Sequence, residues 1–191
     1  MLITTHDIKI RHLPKDAELL QVSPLLSEDD KHQLERLTAK KLKPAMKADE
    51  IAGVNFIVEA EGDTPFNMAE IFERAQMILG ENHAVLEGYI ESALERERMS
   101  STYIGNQISI PHGNPEKVLK SHVLIFKSQK GFYWKEHQVK MVFFLATTKN
   151  DIQLTKRIIQ TIAQFEENTM DELLYLDDQP FKNKLIQMIQ G

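Results

Sequence analysis

The longest uninterrupted apolar run in this chain is Met141-Val142-Phe143-Phe144-Leu145-Ala146. A membrane-spanning helix needs ~20 such residues, so the run is far too short to cross a bilayer. It reads instead as the heart of a buried strand over 139–146. A strand of that kind cannot stand alone, and the sequence from about Asp49 onward offers the segments that would cover it. Val54-Asn55-Phe56-Ile57-Val58 reads as a strand. Asn67 with Glu70 three residues later forms a capping box, and Gly80 closes the helix it opens. Met68, Ile71, Phe72, Ala75, Ile78 and Leu79 give that helix one apolar stripe. A second helix is expected over 84–98, with Leu86, Tyr89, Ile90, Ala93 and Leu94 inward. Strands follow over 107–111 and 121–127. A helix over 151–166 shows Ile152, Ile158, Ile159, Ile162 and Phe165, and a short amphipathic helix runs from Pro180 to the end. This alternation predicts an α/β domain over residues 49–191.

The first 48 residues form a separate piece. Leu2-Ile3-Thr4-Thr5 and Leu19-Leu20-Gln21-Val22 read as short buried strands. Ser27 caps a helix with Glu28, Asp29 and Asp30 in its first turn. Leu34 and Leu37 share a face of that helix, and Lys40-Lys41-Leu42-Lys43 places positive charge at its end before Pro44 stops it. Two strands and a helix bury too little to be stable alone, so this piece looks like part of something larger.

Of the 191 residues none is Cys, which excludes disulfides, thiolate metal sites, iron–sulfur clusters and cysteine nucleophiles within these residues. It fits a reducing compartment. The net charge of −5 argues against a general nucleic-acid binder, and the small Lys/Arg excess before residue 49 is scattered as solvated surface. Met1-Leu2-Ile3 runs directly into Thr4-Thr5-His6-Asp7, which is not the pattern of a signal peptide. The expectation is a cytoplasmic protein with no membrane insertion.

Chemistry concentrates in Leu94-Glu95-Arg96-Glu97-Arg98-Met99-Ser100-Ser101-Thr102-Tyr103-Ile104-Gly105-Asn106-Gln107-Ile108-Ser109-Ile110-Pro111-His112-Gly113. A helix ends in charges, a polar loop follows, and a short strand stops at Pro-His-Gly. Pro111 ends strand pairing and Gly113 permits a sharp exit. His112 is therefore expected at a strand end on the rim of the sheet, where sites in α/β folds are built. On spacing alone, the position serves a hydrogen-bonded surface histidine as well as a functional one. His122 and His137 stand too far off to complete a metal-ligand spacing. There is no G-x-S-x-G, P-loop or G-x-G-x-x-G segment, so neither metal nor cofactor is expected.

The same segment closely resembles the signature of the mannitol/fructose-type enzyme IIA domain of the bacterial phosphoenolpyruvate-dependent sugar phosphotransferase system, shared by nitrogen-regulatory relatives. The residues that carry it are Arg96-Glu97, Ser101-Thr102, Ile104-Gly105, Ile108-Ser109-Ile110 and Pro111-His112-Gly113, within a likeness extending over about residues 50 to 191. The resemblance implies a mixed sheet of four or five strands sandwiched by helices, and that His112 is phosphorylated by the histidine-containing phosphocarrier protein. A neutral imidazole suits that role, provided a hydrogen bond on one nitrogen fixes the tautomer and frees the other. It implies that Arg96 lies beside the site, where a guanidinium can pair with phosphoryl oxygens. The bland reading of Arg96 is an i,i+4 partner on a charged helix end. Glu95, Glu97 and Arg98 read as a solvated face.

The sequence departs from the family in two places. A second active-site His is usual at the start of the helix after the 139–146 strand; here Asp151 falls at that position. Asp151 is either a helix N-cap or first-turn acid, or an acceptor that orients His112; an acid there would repel a phosphoryl group. Gln107 stands where relatives often carry Gly. An apolar docking patch would include Ile104 and Phe132, with Trp134 equally suited to the core.

Residues 1–48 resemble the last part of a galactitol-type enzyme IIB domain plus a linker. A IIB-like half followed by a IIA domain is the carboxy-terminal arrangement of phosphotransferase-regulated transcription activators and antiterminators. The chain is thus expected to be a piece of such a regulator, with upstream regulatory domains outside it and no direct nucleic-acid contact of its own. The alternatives are a transport enzyme IIA passing phosphate to a IIB cysteine, and a docking module that is never phosphorylated.

Overall fold

The structure is a computed structural model and describes residues 2–4, 19–21, 51–62 and 66–191. The chain divides into two compact units, Met1–Ala45 and Met46–Gly191. In the first, β1 (Leu2–Thr4) and β2 (Leu19–Gln21) pair in parallel, Leu2 opposite Leu19. The helix expected after Ser27 lies outside the described residues.

The second unit is built on five strands: β3 (Asn55–Ala60), β4 (Tyr103–Gly105), β5 (Ile108–Ser109), β6 (His122–Trp134) and β7 (His137–Ala146). Their order is β3-β6-β7-β5-β4. β3 and β6 are parallel, as are β5 and β7, while β6–β7 and β4–β5 are antiparallel. This is a mixed five-stranded sheet, as the resemblance implied.

The apolar run of β7 has a direct cause. Met141, Phe143 and Leu145 enter one buried cluster, whereas Val142, Phe144 and Ala146 enter another. Successive side chains of a strand point to opposite faces, so a strand covered on both sides must be apolar at every position. α1 (Met68–Glu81) and α2 (Tyr89–Met99) contribute to the second cluster. α3 (Ile152–Ile162), α4 (Glu167–Tyr175) and α5 (Asp178–Gln190) contribute to the first. Among the described residues, no helix is long and apolar enough to cross a membrane.

Several elements differ from expectation. α1 is capped as expected, with the Glu70 amide donating to Asn67 Oδ1 at 2.9 Å, but the Glu70 carboxylate turns to Arg74 instead of back to the cap. α2 starts at Tyr89, not Ala84. Gly88 precedes it with φ 76, a left-handed conformation that a helix cannot continue, and Leu86 is 49 % exposed rather than inward. α3 starts at Ile152, after a 3-10 turn over Lys149–Asp151, and Ile152 is 53 % exposed. α4 and β4 had no counterpart in the sequence reading. β6 runs seven residues beyond its apolar part, through an irregularity between Lys127 and Phe132, to meet β7 in a hairpin.

Candidate functional site

His112 lies three residues beyond the end of β5 and forms a single parallel bridge with Leu145, near the carboxyl end of β7. The Leu145 amide donates to the Pro111 carbonyl at 2.9 Å. The imidazole is half-buried, with Nδ1 3.0 Å from the Ile110 carbonyl oxygen. A carbonyl only accepts, so Nδ1 carries the proton and Nε2 presents its lone pair. The backbone two residues before the ring therefore fixes the tautomer.

α2 supplies the wall behind this turn. Tyr89, Ser92 and Arg96 stand at i, i+3 and i+7 and share one face of the helix. The buried Tyr89 hydroxyl accepts from the Gly113 amide at 3.2 Å and donates to the Leu145 carbonyl at 2.6 Å. Burial pushes the Tyr89 phenol well above its usual range, against a lowering by the Gly113 amide, so it stays protonated. Ser92 Oγ accepts from the Asn114 amide at 2.9 Å and donates to the Tyr89 carbonyl at 2.6 Å. A Cβ on Gly113 would come within 2.7 Å of Ser92 Oγ and 2.8 Å of the Tyr89 carbonyl oxygen. Glycine is needed there for close approach.

Arg96 is half-buried and donates from Nη1 to the Ser100 carbonyl at 3.1 Å. One of its five N–H donors is thus engaged in closing the helix end. Its neighbour Glu97 overturns the solvated-face reading, being 1 % exposed. Its carboxylate accepts from the Thr102 amide and from the Trp134 indole, each at 3.0 Å, and pairs with Lys135 at 3.1 Å. Burial raises its pKa, but the hydrogen bonds from Thr102, Lys135 and Trp134 outweigh that and hold it below the ordinary value. Arg96 and Glu97 therefore divide their work, one side chain closing the helix end and the other turning into the protein. A charged run gives no hint of which member goes inward.

Asp151 lies in the 3-10 turn before α3, and its Oδ2 accepts from Ser121 Oγ and, at 2.8 Å, from Thr148 Oγ1. The orienting bond that the alternative reading would assign to it is made to His112 by the Ile110 carbonyl. Asp151 stands at the N-cap position of α3, but its side chain makes no capping bond there and ties loops together instead. Nearby, Lys149 and the exposed Glu116 form an ion pair at 2.5 Å, joining the loop after His112 to the turn before α3. The Lys149 hydrogen bond, with its charge, lowers the Glu116 pKa.

The expected docking patch is not assembled as the sequence suggested. Phe132 is 7 % exposed and packs with Trp134 in the core at the hairpin end, where it pairs with Val139, six residues along β7 from the His112 bridge partner. Ile104 is 44 % exposed, but it belongs to the β4–β5 hairpin whose tip meets Met141, also toward that far end. Gln107 has φ 61 and Asn106 φ 48, so a turn that favours Gly is made here by two residues with side chains.

The described fold is that of the enzyme IIA class. It matches the crystal structure of IIA mannitol from Escherichia coli over 74% of this chain and 99% of that one, with TM-score 0.53 and 22% identity. Residues 65–190 match the family described as phosphoenolpyruvate-dependent sugar phosphotransferase system, EIIA 2, and the chain belongs to that family. Among its relatives is the transcriptional regulator ManR of Bacillus subtilis (strain 168), 32% identical over 117 residues, which are 61% of this chain and 16% of that protein. Another is the mannitol-specific phosphotransferase enzyme IIA component of Staphylococcus aureus (strain Mu50 / ATCC 700699), 30% identical over 109 residues, 55% of this chain and 74% of that one. The match thus spans only about a sixth of the regulator's length.

Proposed function

We propose that this chain is a phosphoacceptor domain in which His112 Nε2 takes a phosphoryl group from the histidine-containing phosphocarrier protein, as a signal controlling transcription of a sugar operon. The observation that carries the reading is the Ile110 carbonyl on His112 Nδ1, which leaves Nε2 as the nucleophile. In the transfer, the Nε2 lone pair attacks phosphorus as the donor's P–N bond breaks. The bonding pair returns to the donor imidazole, and the proton stays on His112 Nδ1, whose hydrogen bond to the Ile110 carbonyl offsets the charge developing on the ring. Arg96 would turn its remaining N–H groups to the phosphoryl oxygens. Asp151 acts through the loop it ties to Ser121 and Thr148, and its negative charge would disfavour a phosphoryl group nearby.

The regulatory part rests on the likeness to ManR and on the IIB-like reading of residues 1–48. A second reading, transport enzyme IIA, is favoured by the share of the S. aureus mannitol component that the chain covers. None of the 191 residues is Cys, so in either case onward transfer to a thiol requires a residue outside this chain. Incubation with phosphoenolpyruvate, enzyme I and the phosphocarrier tests the shared claim. Acid-labile phosphate on His112, lost in His112→Ala, is the expected result; equal labelling of that variant would sink it. Rapid, stoichiometric transfer from the phosphorylated chain to a separate IIB domain would favour transport over regulation.

A further inference from the structure

His112 sits beside β7 without completing a normal ladder. In a continuing parallel pair, the residue on each side of a bridge contributes one bond: here the Pro111 carbonyl to the Leu145 amide, and the Gly113 amide to the Leu145 carbonyl. The first bond is present at 2.9 Å. The second is relayed, because the Gly113 amide donates to the Tyr89 hydroxyl and that hydroxyl donates to the Leu145 carbonyl. A phenol oxygen from α2 thus occupies the rung immediately after His112.

The following amide is held from the same helix, Asn114 N–H donating to Ser92 Oγ. The two backbone amides after His112 are therefore tied to side chains one helical turn apart. On the other side of the histidine, Ile110 is held by its amide on the Thr102 carbonyl and by the ring of His112 itself. Tyr89 is 1 % exposed and packs edge-on to Phe144, so the position of its hydroxyl is set by the core and not by solvent.

We propose that Tyr89 is a positioning residue for phosphoryl acceptance: its hydroxyl, inserted in the ladder, sets the distance of the His112 turn from β7 and so the direction in which Nε2 is presented. Ser92 is the second point of the same clamp. The claim rests on the reading of His112 as the phosphoacceptor. In-line transfer is sensitive to small misplacements, since about 1 Å can cost of order 100-fold in rate.

Tyr89→Phe removes one oxygen and keeps the ring, so it is the discriminating variant. The expected result is at least about a tenfold lower rate of His112 phosphorylation at saturating phosphocarrier, with the half-saturating concentration unchanged. The His112 ¹⁵N resonances should shift, and amide exchange at Gly113 should accelerate. A wild-type rate together with unshifted His112 resonances would overturn the proposal. If the wild-type chain takes no phosphate at all, the functional reading fails, while the resonance and exchange comparison still decides whether the hydroxyl positions the ring. Should Tyr89→Phe not fold, Ser92→Ala is measured instead: a smaller rate loss with faster Asn114 exchange supports the clamp, and no change in either overturns it.

Discussion

The Trp134 indole donates to the Glu97 carboxylate at 3.0 Å, across 37 positions of sequence. This one acid fastens the last turn of α2 to the β6–β7 hairpin, while its other oxygen takes the Thr102 amide at the start of β4. It is the anchor of the residue next to Arg96.

Glu97→Ala leaves the Trp134 and Thr102 donors buried without an acceptor. The expected loss of stability is about 2–4 kcal/mol, read by urea denaturation with the single tryptophan as reporter. Unchanged stability would show that water replaces the carboxylate.

The same carboxylate sets a pH dependence. Its pKa is lowered in the folded protein, so its contribution is fully present above the ordinary value of 4.5 and is lost as pH falls through the folded value. Glu97→Gln should flatten the acid limb of the stability profile. An acid limb identical to wild type would assign it to other carboxylates.

Gln107→Gly should raise stability by about 0.5–1 kcal/mol. The left-handed conformation costs a side-chain-bearing residue about 1–2 kcal/mol, partly offset by the greater freedom glycine has when unfolded. Gln107→Val should act in the opposite direction. Thermal melts of the pair check the sign, and matching shifts from both would remove the backbone explanation.

Asp151→Asn tests how the acid at the start of α3 acts. Ile110 holds the His112 ring, so the variant should phosphorylate at least as fast as wild type, while stability falls by about 1 kcal/mol as the Ser121 and Thr148 bonds weaken. A large drop in labelling rate would instead give Asp151 a direct role at the ring.

The parts of the fold legible in the sequence are those where burial leaves a period. β7 reads as a strand because both its faces are covered, and α1 because Asn67 and its apolar stripe agree. Leu86 stands three and four positions before Tyr89 and Ile90, which extends the helical stripe upstream of α2, and the left-handed Gly88 is what ends it. The outer half of β6 escaped notice because Ser128, Gln129 and Lys130 interrupt its apolar pattern. At the site, the Pro-His-Gly segment gave His112 its place at a strand end. The partners of Tyr89 and Glu97 lie far away in sequence, and no local pattern encodes them.

The Tyr89 relay also has a bearing on when the site comes into being. Its two hydrogen bonds span 24 and 56 positions, so the turn carrying His112 closes only once β7 has docked. Contacts of such separation are slow to form, because loop-closure entropy is met before they contribute. A chain still emerging during synthesis, or one opened at β7, presents a histidine without its setting. On the proposed role of His112, competence to receive phosphate would report on completed folding of the domain.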